Sequence, residues 1–261
     1  MNEDLLLNVM TTEFIYIPFE EKTDLSIKNV MIKKGELLNI KDNTTSPVSG
    51  KAYAYTQIPS TKGDVKSLII ENDFLDTMNN TYQFESIYKI DKNIVKSIIK
   101  DIKNFTLKIN YNNKYDLKDS FVLKDNVVNV LETLNLISET YNIDVNILIS
   151  KKDTRTYQTL FNYMGTYPNI NIIFNTKEQT SSIYDVIDIY NKIKNKVSRD
   201  YVYFTLINKN KVNVIKTKRF SNLKDVLQDL KIVTNNLIIN NIPLDNPNFL
   251  VTDDICLVQI K

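Results

Sequence analysis

Acid–base, metal and nucleophilic chemistry would have to come from a narrow set of side chains in this sequence. Histidine is absent, so the commonest general base and metal ligand is missing. The single cysteine, Cys256, can form neither an internal disulfide nor a cysteine-ligated cluster. Its neighbours Ile255, Leu257 and Val258 predict a buried strand, which makes it a core thiol. The acidic pairs Glu20-Glu21 and Asp253-Asp254 are neighbours in sequence, and adjacency does not make two carboxylates converge in one cleft, as general acid–base work requires. No catalytic residue and no metal-ligand set is assigned on these grounds.

Anion binding is poorly provided for as well. Only Gly35, Gly50, Gly63 and Gly165 occur, whereas phosphate-cradling loops need several glycines close together. Arg155, Arg199 and Arg219 are the only arginines, so bidentate phosphate recognition has few donors. The 33 basic and 31 acidic residues are spread along the chain without a basic block, which argues against nucleic acid as a partner. No apolar run approaches a membrane span, and Asn2, Glu3 and Asp4 do not resemble the start of a signal peptide. The expected location is the cytoplasm.

The elements that position these residues fall into three stretches. Residues 1–75 read as short strands with turn punctuation: Phe14–Ile17, Val30–Ile32, the turn Lys33-Lys34-Gly35-Glu36, the turn Ser46–Gly50, then Lys51–Tyr55 and Val65–Ile70. A small barrel or sandwich follows from that pattern. From about Asp91 the period becomes helical, with Ile94, Val95, Ile98, Ile99 and Ile102 on one face. A strand at Phe105–Ile109, a helix capped by Asp125, a strand at Ile143–Ile149 and a helix capped by Asp153 come next. That last helix would bury Tyr157, Leu160, Phe161 and Met164 and stop at Gly165. A strand at Ile170–Phe174 and a helix carrying Ile183, Val186, Ile187, Tyr190 and Ile193 complete a parallel α/β layer over 83–197. Residues 199–261 return to strands: a hairpin from Tyr201–Ile207 and Val212–Lys216, a short helix capped by Ser221, and strands at Leu237–Ile239 and Ile255–Ile260.

Several of these features have a plain structural reading. Lys33–Glu36 reads as a solvated turn, and Lys51 sits inside a strand pattern. Most of the 15 tyrosines, Tyr157 and Tyr190 among them, read as packing residues.

The sequence resembles the RnfC family, the subunit that faces NADH in bacterial ion-pumping redox complexes. The segments KNVMIKKGELLNIKD, SPVSGKA and SLIIEND match the pattern of its amino-terminal domain, with Lys33, Lys34, Gly35, Ser46, Pro47, Ser49, Gly50, Lys51, Glu71, Asn72 and Asp73 in place. The middle stretch resembles the flavin-binding domain shared with the NADH-binding subunit of respiratory complex I. YVYFTLINKNKVNVIKTKRFSNLKDVLQDL resembles the start of the β-grasp (SLBB) domain that follows it. The resemblance implies an amino-terminal all-β barrel-sandwich hybrid over 1–75, a central α/β Rossmann-like layer over 83–197 and a carboxy-terminal β-grasp over 199–261.

The departures from the family bear on function. The family's glycine-rich nucleotide loop has no counterpart between Ile102 and Phe105. Its flavin-lining motif is reduced to Ile109 and Asn110, with Tyr111 where the family has glycine. Glu178-Gln179-Thr180-Ser181 lacks the glycines of a third element, and no cysteine-rich ferredoxin-like segment occurs up to Lys261. Asn110 is thus the one vestigial cofactor position, and neither flavin mononucleotide nor a 4Fe-4S cluster is expected. Three functions stay open: an accessory or scaffold subunit of an electron-transfer system, an NADH-oxidising flavoprotein with a divergent site, or a module binding a soluble ligand near Asn110, Ser150 or Asn175. The first implies protein partners among membrane-bound redox subunits, with the chain in the cytoplasm or peripheral at the inner face of the membrane. No span of its own is expected.

Overall fold

Alternating apolar residues build the first sheet. The computed structural model describes residues 7–19, 29–39, 44–79, 90–100, 102–110, 117–195, 199–209 and 211–261. Strands β1 (Leu7–Met10), β2 (Phe14–Pro18), β3 (Met31–Ile32), β4 (Leu37–Asn39), β5 (Thr44–Thr45), β6 (Gly50–Ser60) and β7 (Gly63–Asn72) come first. β2, β7, β6 and β3 form one antiparallel sheet in that order, and β4 pairs with β5. Ile15, Ile17, Ala52, Ile58, Leu68 and Ile70 point to its buried face. At Gly50 an ideal Cβ would lie 2.0 Å from the Glu71 carbonyl oxygen, so only glycine lets β6 and β7 approach at their end. The acidic pair Glu20-Glu21 lies outside the described residues.

The next stretch alternates helix and strand. It runs α1 (Lys92–Ile98), β8 (Phe105–Lys108), α2 (Lys118–Tyr141), β9 (Val145–Leu148), α3 (Thr154–Phe161), β10 (Ile170–Ile173), β11 (Ser181–Ser182) and α4 (Ile183–Asn195). The sheet order is β10-β9-β8-β11, and every pairing is parallel. Leu107 and Ile147, in register on neighbouring strands, are buried, as are Val130, Leu134 and Ile137 of α2. Three boundaries differ from the sequence reading. Ile99 is extended, so α1 ends before the Ile94–Ile102 stripe is complete. Helix α2 starts at Lys118, and Asp125, expected as its N-cap, instead precedes a kink at Asn126, whose side-chain amide donates to the Val122 carbonyl. Helix α3 does begin at Asp153, but it ends at Phe161, and Gly165 lies in a 3-10 turn beyond it.

The last stretch holds β12 (Tyr201–Asn208), β13 (Lys211–Lys218), α5 (Leu223–Asp229), β14 (Leu237–Ile239), β15 (Ile242–Leu244) and β16 (Leu257–Ile260). With β1 they make a sheet of order β1-β13-β12-β16-β14-β15, in which β16 runs parallel to β12. Leu223, Val226 and Leu227 of α5 pack on Val202, Phe204 and Ile215. Full burial of each such side chain contributes about 1.5–3 kcal/mol relative to exposure. The helix is capped by Asn222, whose side chain accepts the Lys224 N–H. The expected cap, Ser221, is buried instead, accepting from Thr12 Oγ1 and donating to the Lys218 carbonyl.

The result is a mixed α/β protein with several sheets and, among the described residues, five α-helices. The chain divides into two compact units, Met1–Thr81 with Ser198–Lys261 (unit 1) and Tyr82–Val197 (unit 2). The first and last stretches therefore form one piece, joined by the parallel β1–β13 pairing and by Phe220 and Leu250, which enter the core of the first sheet. No described helix is long and apolar enough to cross a membrane.

Candidate functional site

In open parallel sheets ligands bind outside the carboxyl ends of the strands, where the strand order reverses. In unit 2 that point lies at the ends of β8 and β11, with the helix N-termini of α2, α3 and α4 beside the sheet. Such N-termini carry free N–H groups and a positive dipole end, and they attract phosphates in nucleotide-binding proteins.

Here each of the three holds a carboxylate of the chain itself. Asp119, in the first turn of α2, is buried, and its Oδ2 accepts the backbone N–H of Asn110 at 2.9 Å. Asp153 caps α3, accepting the Thr156 N–H at 3.1 Å, and its other oxygen accepts the Ser120 hydroxyl at 2.9 Å. Thr156 Oγ1 donates in turn to Ser120 Oγ at 2.8 Å, which ties α3 to α2 through a buried network. Asp185 and Ser182 close a reciprocal cap at the start of α4: Asp185 Oδ2 accepts the Ser182 N–H, and Ser182 Oγ accepts the Asp185 N–H. Lys118 Nζ lies 5.3 Å from the centre of the Tyr184 ring, and Thr106 donates to Glu178 at 3.2 Å. A flavin phosphate placed here would meet a carboxylate at every helix end and would have to displace hydrogen bonds already made. These residues do not suit that group.

Asn110, the one position the resemblance leaves for a cofactor contact, lies just past the end of β8, and its backbone N–H serves the link to α2. Ser150 serves its own turn: its carbonyl accepts the Asp153 N–H and its hydroxyl accepts the Lys152 N–H. A 180 Å³ cavity lined by Ile17, Ile32, Leu38, Tyr55 and Leu68 lies in unit 1. It is smaller than the roughly 300–1,000 Å³ of ordinary ligand sites.

Four charges that no sequence spacing brings together meet elsewhere in the fold. In unit 1, Lys34 Nζ stands 2.7 Å from Asp200 Oδ2 and 3.0 Å from Asp76 Oδ2. Lys218 Nζ reaches Asp76 Oδ1 and the Pro47 carbonyl, at 3.3 and 3.2 Å, and lies over the Tyr201 ring. The charges alternate along the chain Asp200–Lys34–Asp76–Lys218. Lys34, expected in a solvated turn, keeps only 15% of its side chain exposed, and Lys218 only 3%. Burial disfavours the charged form of Lys34, but Asp200 and Asp76 outweigh it and hold the ammonium above its ordinary range. Burial likewise works against the Asp76 charge, yet Lys34 and Lys218 prevail and its carboxyl is lowered. Asp200 is raised, because burial exceeds the attraction of Lys34 and Lys218. The Lys34–Asp200 contact thus favours the lysine charge while the aspartate still bears the greater desolvation.

Other assignments change as well. Cys256 is exposed rather than a core thiol: β16 begins at Leu257, two residues after the expected start, and Cys256 precedes it with its backbone N–H donating to the Asn240 side chain. Tyr157 and Phe161, expected in the core, stack on each other at 42% and 65% exposure, leaving Thr156 and Leu160 as the buried face of α3. Tyr190 is buried as expected. Asp253 and Asp254 do diverge: Asp253 is shared by Arg199 and Arg219, and Asp254 pairs with Lys62. Among the described residues, no three His, Cys, Asp or Glu side chains gather to hold a metal.

The segments that carry the family resemblance meet in one corner of unit 1. Gly35 N–H donates to the Ser46 carbonyl and Ser46 N–H to the Glu36 carbonyl, at 2.8 and 2.9 Å. Ser49 Oγ donates to Asp73 Oδ1 at 2.6 Å, and Gly50 and Lys51 pair with Asn72 and Glu71. Neither a protein-family model nor a curated protein sequence matches the chain.

Proposed function

We propose that the chain is an RnfC-like protein of an electron-transfer system, acting as an accessory or scaffold subunit without a flavin or iron–sulfur cluster of its own. The observation that carries this reading is a carboxylate at the start of each helix: Asp153 and Asp185 in the caps of α3 and α4, and Asp119 in the first turn of α2, bound to the Asn110 N–H. A sheet of nucleotide-binding order whose anion positions are filled internally suits a protein that keeps an ancestral framework and not its cofactor.

The layout of the elements supports the ancestry. The antiparallel β2-β7-β6-β3 sheet, with its turns at Gly35 and Gly50, is read as the barrel-sandwich hybrid. The β10-β9-β8-β11 sheet is read as the Rossmann-like layer, and the hairpin β12–β13, helix α5 and parallel β16 as the β-grasp. Its partners on this reading are membrane-bound redox subunits, met in the cytoplasm or at the inner face of the membrane.

Affinity purification of the tagged chain from its native cells, with the membranes solubilised, tests the docking role. Recovery of redox-complex subunits in fixed ratio is the expected result. Recovery of the chain alone from cells that express such a complex would remove the scaffold reading.

A further inference from the structure

Unit 1 is discontinuous: the chain leaves it after Thr81 and returns at Ser198. Asp76 stands just before the exit and Asp200 just after the return, and both carboxylates meet the ammonium of Lys34. We propose that Lys34 is a staple that holds the two chain crossings of unit 1 together, so that residues 1–81 and 198–261 fold as one piece.

Three features make Lys34 suited to this task. Its backbone is fixed to the exit loop, since Lys34 N–H donates to the Thr77 carbonyl and Asn79 N–H to the Lys34 carbonyl, both at 2.8 Å. Its side chain then spans to the return segment, whose Asp200 carbonyl is itself held by the Arg219 N–H at 2.7 Å. Lys218, at the end of β13, grips Asp76 from the other side and closes the set as two cations against two anions. The exit loop is strained in a way that needs such restraint. Phe74 and Asp76 both take left-handed φ values, 57° and 51°, which non-glycine residues adopt at a cost.

The physical need is entropic. Holding the ends of a long insert together opposes chain entropy, a penalty that grows slowly with insert length. A two-jawed ion pair at the crossing points, its lysine only 15% exposed, resists that pull, and loss of Lys34 would take from Asp200 the ammonium that stands 2.7 Å away. The inference concerns unit 1 and does not depend on the electron-transfer reading.

Hydrogen exchange read by mass spectrometry on the full chain tests it. Lys34→Met is expected to speed exchange at 73–79 and at 199–201 together, by about tenfold or more, while α2 and α4 of unit 2 keep their protection. Lys34→Arg, which keeps the charge, is expected to restore most of the protection at both sites. Faster exchange confined to the 33–36 turn would overturn the proposal. So would a Lys34→Met chain in which unit 2 loses protection as well, whether or not unit 1 stays folded.

Discussion

The Asp119 carboxylate accepts the backbone N–H of Asn110 at 2.9 Å, so the end of β8 and the first turn of α2 share one buried anion. A parallel sheet normally leaves that position for a ligand. In this chain the carboxylate in the first turn of α2 takes the strand-end N–H instead. Asp153 and Asp185 act differently, in the caps of α3 and α4: Asp153 accepts the Thr156 N–H and Asp185 the Ser182 N–H.

Gly50→Ala is expected to destabilise unit 1 strongly, by about 3 kcal/mol or more, because the new Cβ would overlap backbone that cannot move away cheaply. Gly63→Ala, with open space around it but φ at 98°, should lose less, about 1 kcal/mol. Urea unfolding of both variants checks the order, and equal losses would show that the β6–β7 end is looser than the structure has it.

The two residues before α5 should respond differently to truncation. Asn222→Ala removes a helix cap and is expected to cost about 1 kcal/mol. Ser221→Ala removes the buried hydroxyl that links Thr12, Thr217 and the Lys218 carbonyl and should cost more, about 1–3 kcal/mol. Thermal unfolding of the two variants gives the comparison, and a milder loss at Ser221 would contradict it.

Acid acts on Asp76 and Asp200 with opposite signs. Asp76 lies below its ordinary 3.8, since Lys34 and Lys218 outweigh burial, so its contribution is full above 3.8 and is lost as pH falls through the lower folded value. Asp200 is raised by burial, so in the window upward from 3.8 the folded state binds the extra proton and gains stability as pH falls. Asp200→Asn should therefore steepen the loss of stability on acidification in that window, whereas Asp76→Asn should flatten the loss below 3.8. Denaturant unfolding across the acid range measures both, and a flatter profile in Asp200→Asn would contradict the assignment. At the alkaline end, the Lys34 contribution is full below 10.5 and fades as pH rises through its higher folded value.

Cys256 should react with a thiol reagent in the native protein, without denaturant, because its side chain is exposed. A thiol that titrates only after unfolding would return it to the core.

The elements of unit 2 were legible because their periodicity is strong: Val130, Leu134 and Ile137 mark α2 as helix whatever its true start. The start itself was hidden, since Asp125 looks like an N-cap while Asn126 makes a kink inside a longer helix. Tyr157 followed the helical period but fell on the solvent side of α3, which exposes a whole face to water. Cys256 lies outside β16, which begins at Leu257 rather than at Ile255, so burial on the strand's inner face never reaches its side chain. The Lys34 cluster was out of reach for a different reason. Its members come from a turn, a loop and a returning strand, and no local spacing announces that Lys34 and Asp200 will meet. Asn110 was found through the resemblance, but its partner Asp119 was not, because the expected helix began beyond it.

On the proposed reading, Asp119, Asp153 and Asp185 keep an anion from the helix N-termini of unit 2. Titration of the purified chain with flavin mononucleotide, followed by flavin fluorescence, tests this most directly. No saturable binding is expected up to about millimolar flavin. Stoichiometric binding with a dissociation constant near or below about 1 μM would contradict it and restore a flavin site to unit 2.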